Sequence, residues 1–226
     1  MELTISPTKN PAILRGIILS LVLLLLWELI TKLFIPAITP TASKNTLILI
    51  SRLLFWLYVL AVWLYAFKIE RQPILLWSEK EYNIGTNALS VVLVLLGIIA
   101  GSAVINICIK LLHLTPSSVV IKTFANIPGW LKLFTVITAA VGEELIFRGY
   151  LIPRLQLYFK SIWTPIIISA LLFGLAHASY GTLSNTLGPL YIGLIFGWYY
   201  QKYNNIKVLM ICHFIIDFVA LLLVHQ

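Results

Sequence analysis

The segment WLKLFTVITAAVGEELIFRGY, residues 130–150, places two adjacent glutamates and an arginine inside a largely apolar stretch. The carboxylates belong to Glu143 and Glu144, and the guanidinium belongs to Arg148. On insertion scales, an ionisable side chain near the centre of a bilayer costs on the order of 2.5–3.5 kcal/mol. Such groups are kept where they face one another or a wet cavity, so the segment predicts a membrane helix that carries functional groups.

The composition of the whole chain is typical of a membrane protein. Hydrophobic residues make up 60% of the 226 residues and charged residues make up 11%, whereas soluble domains contain roughly 25% charged residues. The mean hydropathy is +0.98. A soluble chain of this length could not bury so much apolar surface. We therefore predict an all-α protein, a polytopic bundle of transmembrane helices in a lipid bilayer.

The basic residues serve as topology signals rather than as a nucleic-acid surface. The formal net charge is +8, but Lys and Arg fall mostly between the apolar stretches, and no basic stripe is interleaved with aromatic residues. Nucleic-acid binding is therefore not predicted. Lys and Arg are more frequent at the N-terminus and in the connections on its side of the membrane. This bias predicts a multi-pass protein of the plasma (inner) membrane with a cytoplasmic N-terminus.

About seven apolar stretches approach the length of about 20 residues that crosses a bilayer, and eight spans are the alternative count. They cover 12–35, 46–67, 87–112, 128–144, 161–178, 183–200 and 206–224. The mixed polar and apolar stretch 150–160 is predicted to be an interfacial amphipathic helix. The chain 1–226 is predicted to be a single membrane domain, with N-terminal spans in 11–112 and motif-bearing spans in 128–224.

Two small-residue motifs, Gly97-x-x-x-Gly101 and Gly193-x-x-x-Gly197, allow helices to approach closely. Such a face serves equally well within one bundle and between two chains. The oligomeric state therefore stays open at the level of the sequence.

Helix geometry predicts different partners for the two adjacent glutamates. Residues four apart share a helix face, so Glu144 is predicted to pair with Arg148. Glu143 points about 100° away and has no such partner within its own helix. It is therefore the carboxylate expected to take a proton from water and return it. The alternative is that both carboxylates are helix-end groups paired with loop cations.

Two further polar clusters lie in later apolar stretches. His213 and Asp217 are four residues apart and share a helix face. Either both ligate a metal ion, or Asp217 orients the His213 ring, or the two form a buried pair that satisfies itself. His177 ends the stretch that begins at residue 161, and by itself it is more often a satisfied buried histidine.

Taken together, three separate helices each bring an acid or an imidazole into the membrane. A hydrolase uses such a set, because one carboxylate activates water while imidazoles or a metal ion stabilise the oxyanion. These groups do not require a cofactor, and they could also bind a divalent metal ion such as zinc. Its candidate ligands are Glu143, His177, His213 and Asp217. A proton-coupled carrier is another class that uses intramembrane Glu and His.

The three clusters resemble the motifs of the CPBP family, the CAAX-protease and bacteriocin-processing membrane endopeptidases, also called Abi proteins. Residues 143–149, EELIFRG, resemble the EExxxR motif of the family. Residues 173–177, FGLAH, resemble its FxxxH motif, and residues 213–217, HFIID, resemble its His followed four positions later by Asn or Asp. The resemblance covers about residues 130–224, and the order of the motifs agrees.

The resemblance implies an intramembrane endopeptidase of the glutamic type. The count of spans places its active site inside the bundle towards the cytoplasmic side. Glu143 would be the base that activates water. His177 and His213 would position this water or stabilise the oxyanion, and Asp217 would fill the last polar position. The structural partners in the first motif would be Glu144 and Arg148.

The chain departs from the family at one motif position, residue 217. Many relatives have Asn where this chain has Asp217, and an ionised Asp cannot donate to an oxyanion. The departure favours metal ligation, orientation of His213, or a protonated Asp217.

The partner would be a membrane-associated peptide or protein, such as a prenylated tail or a peptide precursor. The alternative is a non-catalytic membrane scaffold or a bacteriocin-immunity protein of the same fold.

Overall fold

The computed structural model describes residues 10–113, 124, 126–178 and 182–223. Within these ranges the chain forms helices and connecting loops, with no strand. Seven long helical segments are present in this part of the chain. They are α1 (Pro11–Ile38), α2 (Lys44–Glu70), α3 (Ile84–Leu111), α4 (129–156), α5 (Trp163–His177), α6 (Ser184–Tyr203) and α7 (Ile206–Leu223).

Three of the helices are long and apolar enough to cross a membrane, namely α1, α2 and α3, with 28, 27 and 28 residues. Their outward faces carry large apolar side chains such as Leu33, Leu57 and Ile99, which are more than half exposed. Such a surface is suited to lipid rather than to water. The all-α class and the integral membrane character are confirmed, whereas the count of seven membrane spans stays a prediction.

The first three helices begin at capping residues. Asn10, Ser43 and Asn83 precede α1, α2 and α3, and each side-chain oxygen accepts a hydrogen bond from a backbone N–H two or three residues further on. These caps satisfy donors that have no partner in the first helical turn. Beside the start of α3, Asn204 adopts a left-handed φ of 46°. This residue ends α6 and allows the tight turn into α7.

The central helix of the bundle is α4, which packs against α1, α2, α5, α6 and α7. Every residue from 146 to 155 is buried. Two π-helical segments, Thr138–Glu143 and Leu145–Leu151, lie on either side of Glu144, and π-helical turns within longer helices are frequent at functional sites. The prediction that 150–160 forms an interfacial helix is wrong, because α4 continues to residue 156 with its side chains in the core.

Buried partners explain why α4 carries an arginine into the core. The Nε of Arg154 donates to Oε2 of Glu70 at 2.8 Å, and the hydroxyl of Tyr150 donates to Oε1 of the same carboxylate at 2.7 Å. Further N–H groups of Arg154 donate to the carbonyls of Pro73 and Ile74, each at 3.0 Å. The network ties α4 to the end of α2 and to the connection that follows it.

Both glycine motifs pack within the chain. A Cβ on Gly193 would lie 2.9 Å from Cα of Ala170, so this glycine lets α6 approach the backbone of α5 closely. In α3, Gly101 faces the ring of Tyr191 on α6, and any side chain there would overlap with that ring. The small residues therefore assemble α3, α5 and α6 into one layer.

Replacing Glu70 by alanine leaves the Arg154 guanidinium buried without its carboxylate partner. We expect the free energy of unfolding to fall by about 3–5 kcal/mol, which chemical denaturation of the purified protein in detergent can measure. The matched control is Glu28→Ala, which removes the partly exposed ion pair between Glu28 and Lys32 in α1. This control should lose less than about 1 kcal/mol. Equal losses in the two variants would contradict the anchoring role of Glu70.

Candidate active site

A cavity of about 430 Å³ brings together the four residues that the sequence predicts to be catalytic. Glu143 enters it from α4, His177 from the last residue of α5, and His213 and Asp217 from α7. Much of the remaining wall is apolar. The other polar side chains in the wall are those of Arg52, Thr135, Ser184 and Asn185.

Glu144 lies behind the cavity wall, and its side chain is 0% exposed. Its Oε1 accepts a hydrogen bond from Nη1 of Arg148 at 2.8 Å and a second from Nδ1 of His213 at 2.8 Å. The guanidinium of Arg148, also 0% exposed, lies 4.4 Å from the centroid of the Phe173 ring and 5.2 Å from that of Phe196. The structure thus places the predicted pair in contact and lines it with aromatic rings.

His213 is oriented by Glu144 rather than by Asp217. A carboxylate only accepts hydrogen bonds, so Nδ1 carries the proton and Nε2 faces the cavity side. This Nε2 lies 3.5 Å from Oδ2 of Asp217 and 3.9 Å from Oε2 of Glu143. Both distances exceed the usual hydrogen-bond length of about 2.7–3.2 Å. Sequence spacing indicated the partner within α7 and missed the one across to α4.

His177 is held by the carbonyl one turn earlier in its own helix. Its Nδ1 lies 2.8 Å from the oxygen of Phe173, which requires the proton on Nδ1. The two rings are 4.7 Å apart, and the Phe173 ring is also 6.1 Å from the ring of His213. Phe173 therefore contacts both imidazoles, which gives the first residue of the FxxxH motif a physical role.

Glu143 forms part of the cavity wall with a side chain 14% exposed. Its Oε2 is buried and accepts no hydrogen bond from the described residues. A second cavity of about 30 Å³ lies beside it and is also lined by Arg52 and His177. This volume holds about two waters, because one water needs roughly 10–15 Å³ of such space. The unpaired carboxylate oxygen therefore adjoins a space that is suited to water.

The described residues contain no group of three or more His, Cys, Asp or Glu side chains placed to hold a metal ion. Nδ1 of His213 is bonded to Glu144, and Nδ1 of His177 is bonded to a carbonyl. Only the Nε2 atoms would be left as imidazole ligands. The metal ion considered from the sequence therefore stays a prediction, and no step below depends on it.

The sequence analysis missed Arg52, which lines both cavities from α2. The signal for it was a single arginine within the apolar stretch 46–67. An isolated charge in such a stretch is a functional candidate by the same physical reasoning that singled out Glu143.

The cavity lies nearer one end of the bundle. It is lined by the first halves of α4 and α6 and the second halves of α5 and α7, and residues from the middle of α1 line the small cavity. The first residues of α1 therefore point to the opposite end. The N-terminus and the active site therefore lie towards opposite sides of the membrane, so they cannot both be cytoplasmic. Which of them is cytoplasmic stays a prediction.

Comparison with known proteins agrees with this geometry. Residues 125–219 match the model of a family described as type II CAAX prenyl endopeptidase, Rce1-like. No curated protein and no solved structure is similar enough to match the chain. The matched segment runs from just before α4 into α7 and contains all three motifs, whereas α1, α2 and α3 precede it. The resemblance is therefore confirmed, and the family recognised over residues 125–219 is that of the Rce1-like type II CAAX prenyl endopeptidases.

Proposed function

We propose that the protein is an intramembrane endopeptidase that hydrolyses a peptide bond of a membrane-associated substrate. The family match supports a protease. The observation that carries the mechanism is the buried Oε2 of Glu143, which accepts no hydrogen bond from the described residues and lies beside two cavities that His177 also lines. A carboxylate that no cation neutralises through a hydrogen bond is available to take a proton from water.

The proposed reaction begins with a water beside Glu143. Oε2 takes a proton from this water as its oxygen attacks the scissile carbonyl, and the carbonyl oxygen becomes an oxyanion. The Nε2–H of a protonated His213 stabilises the charge as it develops. His177, whose Nδ1–H is bonded to the carbonyl of Phe173, accepts a hydrogen bond from the attacking water at Nε2 and positions it. Glu143 then returns the proton to the nitrogen of the leaving amine, and the peptide bond breaks. The acid product contains the hydroxyl of the water, the amine product contains its proton, and the Glu143 carboxylate is regenerated.

Glu144 and Arg148 act as positioning residues in this proposal. The charge-assisted hydrogen bond from Nδ1 of His213 to Glu144 at 2.8 Å fixes the imidazole ring. Preorganised donors need no rearrangement when the oxyanion forms, and this is the physical basis of their effect on rate. Asp217, 3.5 Å from Nε2 of His213, favours the protonated ring that can donate to the oxyanion.

The proposed substrates are prenylated protein tails or peptide precursors that approach from the bilayer. The apolar part of the cavity wall, which includes Val136, Ile192 and Leu221, suits apolar side chains next to the cleaved bond. The proposed location is the plasma (inner) membrane.

Replacing Glu143 by glutamine keeps the size of the side chain and removes the base. We expect the cleavage rate to fall at least about 100-fold. The assay uses purified protein in liposomes with quenched fluorescent peptides, including a prenylated tail and a bacteriocin-precursor leader. Cleavage at the wild-type rate by the variant would contradict the role of Glu143. A wild-type protein that cleaves none of these peptides would favour the scaffold or immunity function instead.

The neighbouring variant Glu144→Gln should lower the free energy of unfolding much more than Glu143→Gln does. It leaves the buried guanidinium of Arg148 without an anion, so we expect a loss of about 3–5 kcal/mol in the free energy of unfolding. Glu143→Gln should change this free energy by less than about 1 kcal/mol. Chemical denaturation of both variants in the same detergent measures the difference. Similar unfolding midpoints would show that the two carboxylates are not divided into a base and an anchor.

Chelation and Asp217→Asn together test the role of Asp217. We expect a chelator to leave the cleavage rate unchanged, because the proposed steps use only side chains. Asparagine cannot supply the charge that favours a protonated His213, so the rate should fall by about tenfold. If chelation stops cleavage and added zinc restores it, Asp217 is to be assigned as a metal ligand.

A further inference from the structure

Arg52 lies within the reaction site although it is outside the segment that matches the family. It lines the large cavity together with Glu143, His177 and Asp217, and it lines the small cavity together with Glu143 and His177. Among the described residues of the larger wall, it is the one Lys or Arg side chain. The site therefore contains a cation that the proposed reaction steps do not use.

Neighbouring aromatic residues hold the Arg52 side chain in place. Its Cζ lies 5.9 Å from the centroid of the Trp27 ring, within the range of a cation–π interaction. The indole N–H of Trp27 donates to the carbonyl of Ser51 at 2.9 Å, and its ring contacts Phe55 edge to face at 5.0 Å. The guanidinium is thus preorganised, so binding an anion would immobilise little further.

Arg52 lacks an anionic partner within the described part of the chain. It forms no ion pair there within 4.0 Å. Its Nε is buried and makes no hydrogen bond to those residues. This differs from the two fully buried arginines, since Arg148 is paired with Glu144 and Arg154 is paired with Glu70.

We propose that Arg52 is a specificity-determining residue that binds a carboxylate of the substrate. The planar guanidinium presents a fork of donors that matches a carboxylate in geometry and charge. Glu143 and Asp217 alone would repel an anionic peptide, and Arg52 offsets that repulsion at the wall they share. The proposal rests on the proposed function. The carboxylate is either the free C-terminus of the peptide or an acidic side chain near the cleaved bond.

Matched peptides distinguish the two possible carboxylates, the free C-terminus and an acidic side chain. One quenched fluorescent peptide is prepared with a free C-terminal carboxylate and with a C-terminal carboxamide, and a second pair carries Asp or Asn with a carboxamide end. Wild-type protein is compared with Arg52→Gln and Arg52→Lys in liposomes. The control is Lys202→Gln, since Lys202 also lies over a tryptophan ring, that of Trp198 at 5.1 Å, but does not line the cavity.

We expect Arg52→Gln to raise KM at least about tenfold for the anionic member of one pair while kcat changes little. The neutral member of that pair should be unaffected, Arg52→Lys should recover part of the loss, and Lys202→Gln should behave as wild type. The pair that responds identifies the source of the carboxylate. Equal losses for anionic and neutral peptides, or a fall confined to kcat, would overturn the proposal by assigning Arg52 to the electrostatics of Glu143.

A binding measurement separates this proposal from the proposed hydrolysis. N-acetyl-leucyl-leucine and its amide are titrated against the Glu143→Gln protein, and the quenching of tryptophan fluorescence is recorded. Tighter binding of the acid, at least tenfold and lost in Glu143→Gln/Arg52→Gln, supports carboxylate binding even if no peptide is cleaved. Equal binding of the acid and the amide, together with equal cleavage of both members in each substrate pair, would overturn it while leaving the hydrolysis intact.

Discussion

The site depends on one carboxylate oxygen. Oε1 of Glu144 accepts hydrogen bonds from Arg148 within α4 and from His213 on α7, each at 2.8 Å. Removing Arg148 would leave this fully buried carboxylate without its cation, which typically costs several kcal/mol. The interaction therefore sets the distance between α4 and α7 and the rotation of the imidazole at the same time. The aromatic rings around Arg148 exclude water and strengthen the pairing further.

Predictions from the sequence succeeded where contacts lie within one helix and failed where they lie between helices. Spacing of four residues correctly placed Glu144 beside Arg148, and it placed His213 and Asp217 on one face. The contact between Glu144 and His213 spans 69 positions, and no periodicity encodes such a distance. The end of α4 was misjudged for the same reason. Arg154 looks interfacial until its buried partner, Glu70 at the end of α2, is known.

The two parts of the chain contribute differently to the cavity. The segment that matches the family supplies Glu143, His177, His213 and Asp217, whereas α2 supplies Arg52 and α1 supplies Trp27 behind it. The third helix packs on α6 and α7, and none of its residues lines either cavity. On the proposals above, the groups that cleave the bond lie in one segment and the residue that selects the substrate lies in another. A comparison restricted to the three motifs would not detect that residue.

Glu143 and Glu144 show how position alone divides two identical side chains between two tasks. Adjacent residues on a helix point about 100° apart, so only one of them can face the contact with α7. The other is directed to the boundary between the two cavities, where its Oε2 accepts no hydrogen bond from the described residues. Glu144 is the poorer base, because its Oε1 already accepts two hydrogen bonds and its side chain lines neither cavity. Its Oε2, like that of Glu143, accepts no hydrogen bond from the described residues. Access to a space that suits water therefore distinguishes the two carboxylates, and Glu143 is the one suited to chemistry.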